Sequence, residues 1–346
     1  MAVDANMVEL FKSNLKLCKV GPGQTVAVLS EGEERADYAQ AFLAASQLLD
    51  ASAFQVNVPS RTAHGGFAGN VGQTALAGNQ AAINALKGAD IVIDLMLLLF
   101  SDEQTEITDS GTRMLLVVEP IEVLARMFPT EELRRRVEFG QQILKEAKVM
   151  RVTSPAGTDV TYQLGAYPVM TEYGFTDQPG RWDHWPSGFL FTGGADDGVD
   201  GTVVLNPGDV ICAFRRYVQT PVKFTIERGY VTDVHGDGLD AELLKNYMSG
   251  FDQKAFAISH IGWGLNEKAD WHHMAVADPH KEIGVDALAY YGNVLFSTGP
   301  NTELGGTNDT PCHVDMPLRN CTLTLDDEVI VENGDIVVPE MRAAIA

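Results

Sequence analysis

The stretch TVAVLSEGEERADYAQAFLAASQLLDASAFQVNV, residues 25–58, decides the fold class of this chain. TVAVLS (25–30) is a short β-branched run, residues 33–48 are rich in Ala and Leu, and AFQVNV (53–58) is strand-like again. Strand, helix and strand in that order predict two strands joined by a helical crossover, the unit from which parallel sheets are built. The same alternation continues on both sides. Upstream, residues 6–19 predict an amphipathic helix with Met7, Leu10, Phe11, Leu15 and Leu17 as its apolar positions, ended by Gly21-Pro22-Gly23. Downstream come an Ala-rich helix at about 76–87, the buried strand DIVIDLM (90–96) and the strand RMLLVVEP (113–120). Two further helical stretches follow, IEVLARM and TEELRRRVEFGQQILKEA. Residues 1–147 therefore read as an α/β, Rossmann-like domain with a parallel sheet covered by helices. The Gly-rich loop HGGFAGN (64–70) follows a strand but lacks the GxGxxG spacing, and no GxxxxGK[ST] occurs in the chain, so it reads as an ordinary loop.

After about residue 147 the character changes. MRVTSPAGTDVTYQL, TVVLNPGDVICAF and VKFTIERGYVTDVHGDG are short alternating runs split by turn residues, and CTLTLDDEVIVENGDIVV ends the chain in the same way. These predict hairpins, interrupted by helices at about 239–249 and 286–291. Residues 148–346 accordingly read as an α+β domain with mainly antiparallel strands.

A chain of 346 residues with 45% apolar content can bury one large core or two ordinary ones. Its 25 basic against 47 acidic residues give a net charge of −22, which argues against nucleic acid or an anionic membrane as partner. Cys18, Cys212, Cys312 and Cys321 include no CxxC pair, the N-terminus has no signal-peptide pattern, and the longest apolar run, Ile91–Phe100, is interrupted by Asp94. A cytoplasmic protein with reduced thiols and no membrane span is expected, and such an enzyme is commonly a homo-oligomer.

The chemistry concentrates in the second half. In Cys312-His313-Val314-Asp315 an extended backbone would send His313 and Asp315 to one side and Val314 to the other. One further His would complete the two-His-one-carboxylate set of non-heme Fe(II) oxygenases. His260, in the apolar run FAISHIGWGL, is the partner that a rigid strand could hold, although core histidines satisfied by a hydrogen bond are the commoner case. In TEYGFTDQPGRWDHWPSGFLFTGG (171–194), Glu172, Arg181, Asp183 and His184 lie among Tyr173, Trp182, Trp185, Phe189 and Phe191. That mixture suits a pocket for a flat polar ring and suits a well-packed loop equally.

VEPIEVLARMFPTEELRRRV (118–137), MTEYGFTDQPGRWDHWPSGFLFT (170–192), ISHIGWGL (258–265), YYGNVLFSTGPNTELGG and TPCHVDMPLRN (within 290–320) closely resemble the 2,5-dihydroxypyridine 5,6-dioxygenases, and the likeness runs along nearly the whole chain. That family acts late in bacterial nicotinate degradation and is related to the leucyl aminopeptidases of the thermophilic type. The resemblance implies Fe(II) held by His260, His313 and Asp315. It also implies opening of the pyridine ring between carbons 5 and 6 with O2, giving N-formylmaleamate. It places Glu172 and His184 at the substrate, with His184 as the acid/base candidate because an ordinary imidazole titrates near neutrality. Phe100, Trp182 and Phe189 are expected to wall the pocket. One position departs from the family: after the leucine run LMLLLF this chain has Phe100 where the resemblance leads one to expect a proton-handling His. The alternative reading is a metallo-aminopeptidase, which would want two metals and further carboxylates, with Glu303 of NTELGG the nearest in sequence.

Overall fold

The computed structural model describes residues 4–60, 71–278, 281 and 283–344, so the loop at 64–70 lies outside the described residues. The chain divides into two compact units. One holds the described residues up to Pro129 together with Glu172–Pro186, the other Thr130–Thr171 and the chain from Ser187 onward.

The first unit is built on a five-stranded sheet in the order Ser52–Val58, Thr25–Glu31, Ile91–Asp94, Arg113–Leu116 and Trp182–His184. Every pairing in it is parallel, as the sequence predicts. Ile91–Asp94 and Arg113–Leu116 are buried at every position, the signature of strands covered on both faces. Ala27, Leu29, Val92 and Met114 meet Ile83 of helix Gln80–Lys87 and Ile107 of helix Asp102–Asp109. Helix Ala5–Leu17 stacks Phe11 on Phe42 of helix Ala36–Gln47, with ring centroids 4.0 Å apart. The short acidic helix Asp102–Asp109 has no strong apolar period; its N-cap Ser101, whose side chain accepts from the Gln104 N–H, marks where it starts.

Two elements move the division away from residue 147. Trp182–His184 adds to the edge of the parallel sheet, with Met114 opposite Trp182 and Leu116 opposite His184. Helix Glu131–Glu146, the last helix expected of the first domain, packs instead within the second unit. A Cβ added at Gly140 would lie 3.0 Å from the Leu190 side chain and 3.1 Å from Met341. The fully buried Arg136 of the same helix donates to the Leu265 carbonyl at 2.8 Å and pairs with Glu132 at 2.8 Å. Leu190, Leu265 and Met341 are at least fifty residues away in sequence, so no local pattern announces them.

The second unit holds two larger sheets and a two-stranded ribbon. Eight strands run in the order Tyr230–His235, Val222–Glu227, Val199–Leu205, Asp159–Gln163, Val149–Thr153, Thr322–Leu325, Glu328–Glu332 and Asp335–Ile336. All their pairings are antiparallel, and the predicted hairpins within 149–163, 222–235 and 322–336 are among them. TVVLNPGDVICAF is not a hairpin: Val199–Leu205 pairs with Val222–Glu227 and Asp159–Gln163, and Val210–Ile211 pairs with Arg216–Tyr217 in the ribbon. The second sheet has the order Val314–Leu318, Val294–Thr298, Ile258–Gly264, Phe189–Thr192 and Met170–Glu172. Helices Leu239–Ser249 and Val285–Ala289 fall where the sequence puts them. The fold class is thus mixed α/β, parallel in one unit and antiparallel in the other. No helix among the described residues is long and apolar enough to cross a membrane.

Candidate metal centre

The strand Ile258–Gly264 is buried at every residue, and its glycines are what let it sit there. A Cβ on Gly262 would come within 1.9 Å of the Leu190 carbonyl oxygen of the adjacent strand, so only glycine allows this approach. On its other side the strand pairs Ile258 with Thr298 and then Ile261 with Phe296. Ser259 and His260 together therefore face the single residue Ser297, a bulge of the kind that re-aims a side chain. Beyond it, Asp315 pairs with Ser297 and Val314 with Thr298. Val314 is fully buried, and His313 and Asp315 turn to the other side.

The three side chains converge. His260 Nε2 lies 3.2 Å from Asp315 Oδ1 and His313 Nε2 lies 3.1 Å from Asp315 Oδ2. One ligand-type atom from each of the three residues falls within 4.8 Å of the others. The two imidazole centroids are 5.3 Å apart, and Phe191 packs on the His260 ring at 4.8 Å. Burial opposes ionisation of Asp315, yet the imidazoles of His313 and His260 outweigh it and hold the carboxyl well below the usual carboxylate range. Burial likewise works against charge on His313, but Asp315, with help from Glu303 and the Thr298 backbone, pushes its pKa up. The donor set fits a divalent ion: two imidazole nitrogens and one carboxylate, aimed at one another in a largely buried cluster where a cation would answer the negative charge. The Thr298 main chain, which raises the His313 pKa as a carbonyl facing a ring N–H does, is an outer contact of the kind that orients a metal-binding imidazole. Glu303, on the short turn Thr302–Leu304, lies in the field of all three residues; burial raises its pKa, and its Oε1 is shielded from solvent.

The remaining sequence candidates fall in two places. Phe189 is in the second unit, two residues from Phe191 on the same strand face, their rings 6.1 Å apart. Phe191 is the aromatic whose ring packs on the candidate ligand His260, and strict alternation along FLFT puts Phe189 on the same face. Glu172, Trp182, His184 and Phe100 belong to the first unit. There Glu172 Oε2 approaches His184 Nδ1 to 3.9 Å, too far for a hydrogen bond, and the Trp182 and His184 rings are 6.3 Å apart. Burial pushes the His184 pKa down to about 3, so this imidazole is neutral at physiological pH and does not titrate near 7 as expected from its ordinary value. Asp183, one of the polar residues of the 171–194 cluster, accepts from the N–H groups of Tyr173, Gly174 and His184 at 2.8–3.0 Å and pairs with Arg181 at 2.6 Å, fixing the backbone that carries His184 as a well-packed loop would. Phe100 is half-buried with φ +64°, a conformation unusual for a bulky residue, and its N–H donates to Gln104 Oε1 at 3.1 Å. The loop leading to it is anchored by Asp94, whose carboxylate accepts from the N–H groups of Met96, Leu97 and Leu98.

The family model for 2,5-dihydroxypyridine 5,6-dioxygenase matches residues 6–338. The chain belongs to this family. A 2,5-dihydroxypyridine 5,6-dioxygenase of Pseudomonas putida KT2440 is 48% identical over 99% of both chains. The solved structure of a 2,5-dihydroxypyridine dioxygenase from the same organism superposes with a TM-score of 0.95 at 48% identity, covering 99% of this chain and 100% of that one. AmpT from Thermus thermophilus shares the fold at a TM-score of 0.67 and 13% identity, over 96% of this chain and 99% of its own. In this chain, then, the CHVD and ISHIGWGL motifs bring the three converging side chains from the two strands that flank Val294–Thr298 in one sheet.

Proposed function

We propose that this chain is a mononuclear non-heme Fe(II) dioxygenase that opens the ring of 2,5-dihydroxypyridine, or of a closely related hydroxylated N-heterocycle, to an N-formylmaleamate-type product. The observation that carries the reading is the convergence of His260, His313 and Asp315, in a chain that belongs to a family of ring-cleaving dioxygenases. These three residues would hold the ion. Bound there, iron would supply Lewis-acid activation of a ring hydroxyl and redox chemistry toward O2. The chain's own groups do the rest. Asp315 offers its carboxylate between the two imidazoles, the Thr298 backbone orients the His313 ring, and Phe191 excludes water from one face of His260.

Glu172, His184, Phe100, Trp182 and Phe189 are kept as proposed substrate-handling residues on the strength of the family match. Burial makes His184 a neutral hydrogen-bonding group first, which takes up a proton only when negative charge is brought beside it. Cytoplasmic location and a homo-oligomeric state are part of the same proposal.

Anaerobic reconstitution with Fe(II), followed by an O2-electrode screen of di- and trihydroxypyridines, tests the reading. O2 uptake with ring opening, and one iron per chain, are expected. A second reading, a two-metal aminopeptidase, has the shielded Glu303 carboxylate in its favour. Two zinc or cobalt ions per chain and peptide hydrolysis without O2 uptake would replace the first reading with the second.

A further inference from the structure

The bulge that presents His260 is closed by a single side chain. With Ser259 and His260 facing one residue, the backbone ladder cannot serve every N–H and C=O in that stretch. Ser297 takes over: its Oγ accepts from the His260 N–H at 2.9 Å and donates to the His260 carbonyl at 3.1 Å. Ser297 is wholly buried, so no water competes for these bonds. The other bulge residue is tied down separately, by a hydrogen bond from the Ser259 hydroxyl to the Pro300 carbonyl. On its far side Ser297 is the register partner of Asp315. One small side chain thus grips the main chain of an imidazole ligand while its own backbone position sets the height of the carboxylate ligand beside it.

A buried serine usually needs a backbone partner merely to satisfy its hydroxyl, and that bland explanation would have it bond one carbonyl a turn or a residue away. Here the hydroxyl both accepts from and donates to one residue, thirty-seven positions away, at the irregular point of the strand. We infer that Ser297 is a positioning residue that clamps the bulged main chain of His260 and so aims its Nε2 at the metal. Alanine at 297 leaves the sheet paired on both sides but frees the His260 peptide to rotate. The ligand atom, several bonds out from that peptide, then wanders from the point on which His313 and Asp315 converge. Threonine keeps the hydroxyl. This inference rests on the reading of His260, His313 and Asp315 as metal ligands.

The test uses full-length apoprotein, wild type and the Ser297→Ala and Ser297→Thr variants, titrated anaerobically with Co(II) and followed by its visible absorption, with a chelator competing for the ion. The alanine variant is expected to bind about 10–100-fold more weakly, the range for loss of an outer-shell partner, and to show shifted visible bands. The threonine variant is expected to restore both. Apoprotein melting temperatures within a few degrees of each other separate this effect from general loss of fold. Should the alanine variant not fold, Ser297→Cys, nearly isosteric with a weaker donor and acceptor, takes its place with the same expected direction. An alanine variant with wild-type affinity and bands overturns the clamp, and so does a threonine variant as weak as alanine. A wild-type protein that takes up no divalent ion overturns the metal reading itself, before any variant is compared.

Discussion

Replacing His184 with Gln isolates the consequence of burying an imidazole beside a carboxylate. His184 is only 4% exposed, and burial pushes its pKa from the usual 6.5 down to about 3. In the unfolded chain the same imidazole takes a proton below 6.5, while the folded one stays neutral to about 3. Between those values the unfolded state binds more protons, so stability falls as pH is lowered through 6.5 and this decline ends near 3. From pH 7.5 to pH 5 the window spans about 1.5 pH units, which at about 1.36 kcal/mol per unit comes to roughly 2 kcal/mol. Glutamine has a similar size and polarity and does not titrate. His184→Gln should therefore lose about 2 kcal/mol less than wild type on acidification. Urea unfolding at the two pH values, followed by the fluorescence of Trp182 and Trp185 in the same unit, measures the difference. Equal losses in the two proteins, or a larger loss in the variant, would show that Glu172 at 3.9 Å holds the imidazole charged. The account of His184 as a neutral group would then have to be given up.

Three other outcomes follow from the second unit. His313→Ala and Asp315→Ala should each lose bound iron and reduce ring cleavage by more than the ~10–100-fold typical of outer-shell changes, as read by metal analysis and O2 uptake; retained iron and turnover would sink the ligand assignment. Because Asp315 pushes the His313 pKa up, metal uptake below that raised pKa expels a proton. Affinity should rise with pH through that raised value, and calorimetry in buffers of different ionisation enthalpy should detect the released proton. In the metal-free protein the sign is opposite: the His313–Asp315 pair stabilises the fold below 6.5 and that contribution is lost as pH climbs through the raised His313 value. Gly262→Ala would force a methyl to 1.9 Å from the Leu190 carbonyl. A loss of about 1–3 kcal/mol or more is expected in thermal or urea melts, and an unchanged melt contradicts the close approach.

Several features of this protein are written within short windows of its sequence. Backbone geometry repeats every two residues in a strand and every 3.6 in a helix, so residues 25–58 announce strand, helix and strand without help from elsewhere. The same period puts His313 and Asp315 on one side of Val314, and the turn residues after 147 announce the hairpins. Tertiary structure alone decided the rest. The strand Trp182–His184 is three residues long, too short for any period to show, and exists because the edge of Arg113–Leu116 accepts it. Helix Glu131–Glu146 looks like any amphipathic helix; which unit it joins depends on Leu190, Leu265 and Met341. The bulge at Ser259-His260 is a mismatch between two strands, so neither strand's sequence contains it. Nor does any window around His184 reveal that burial will keep it neutral. Local periodicity is a property of one segment, whereas register, burial and the convergence of distant side chains belong to pairs of segments, and these are settled only when the chain has packed.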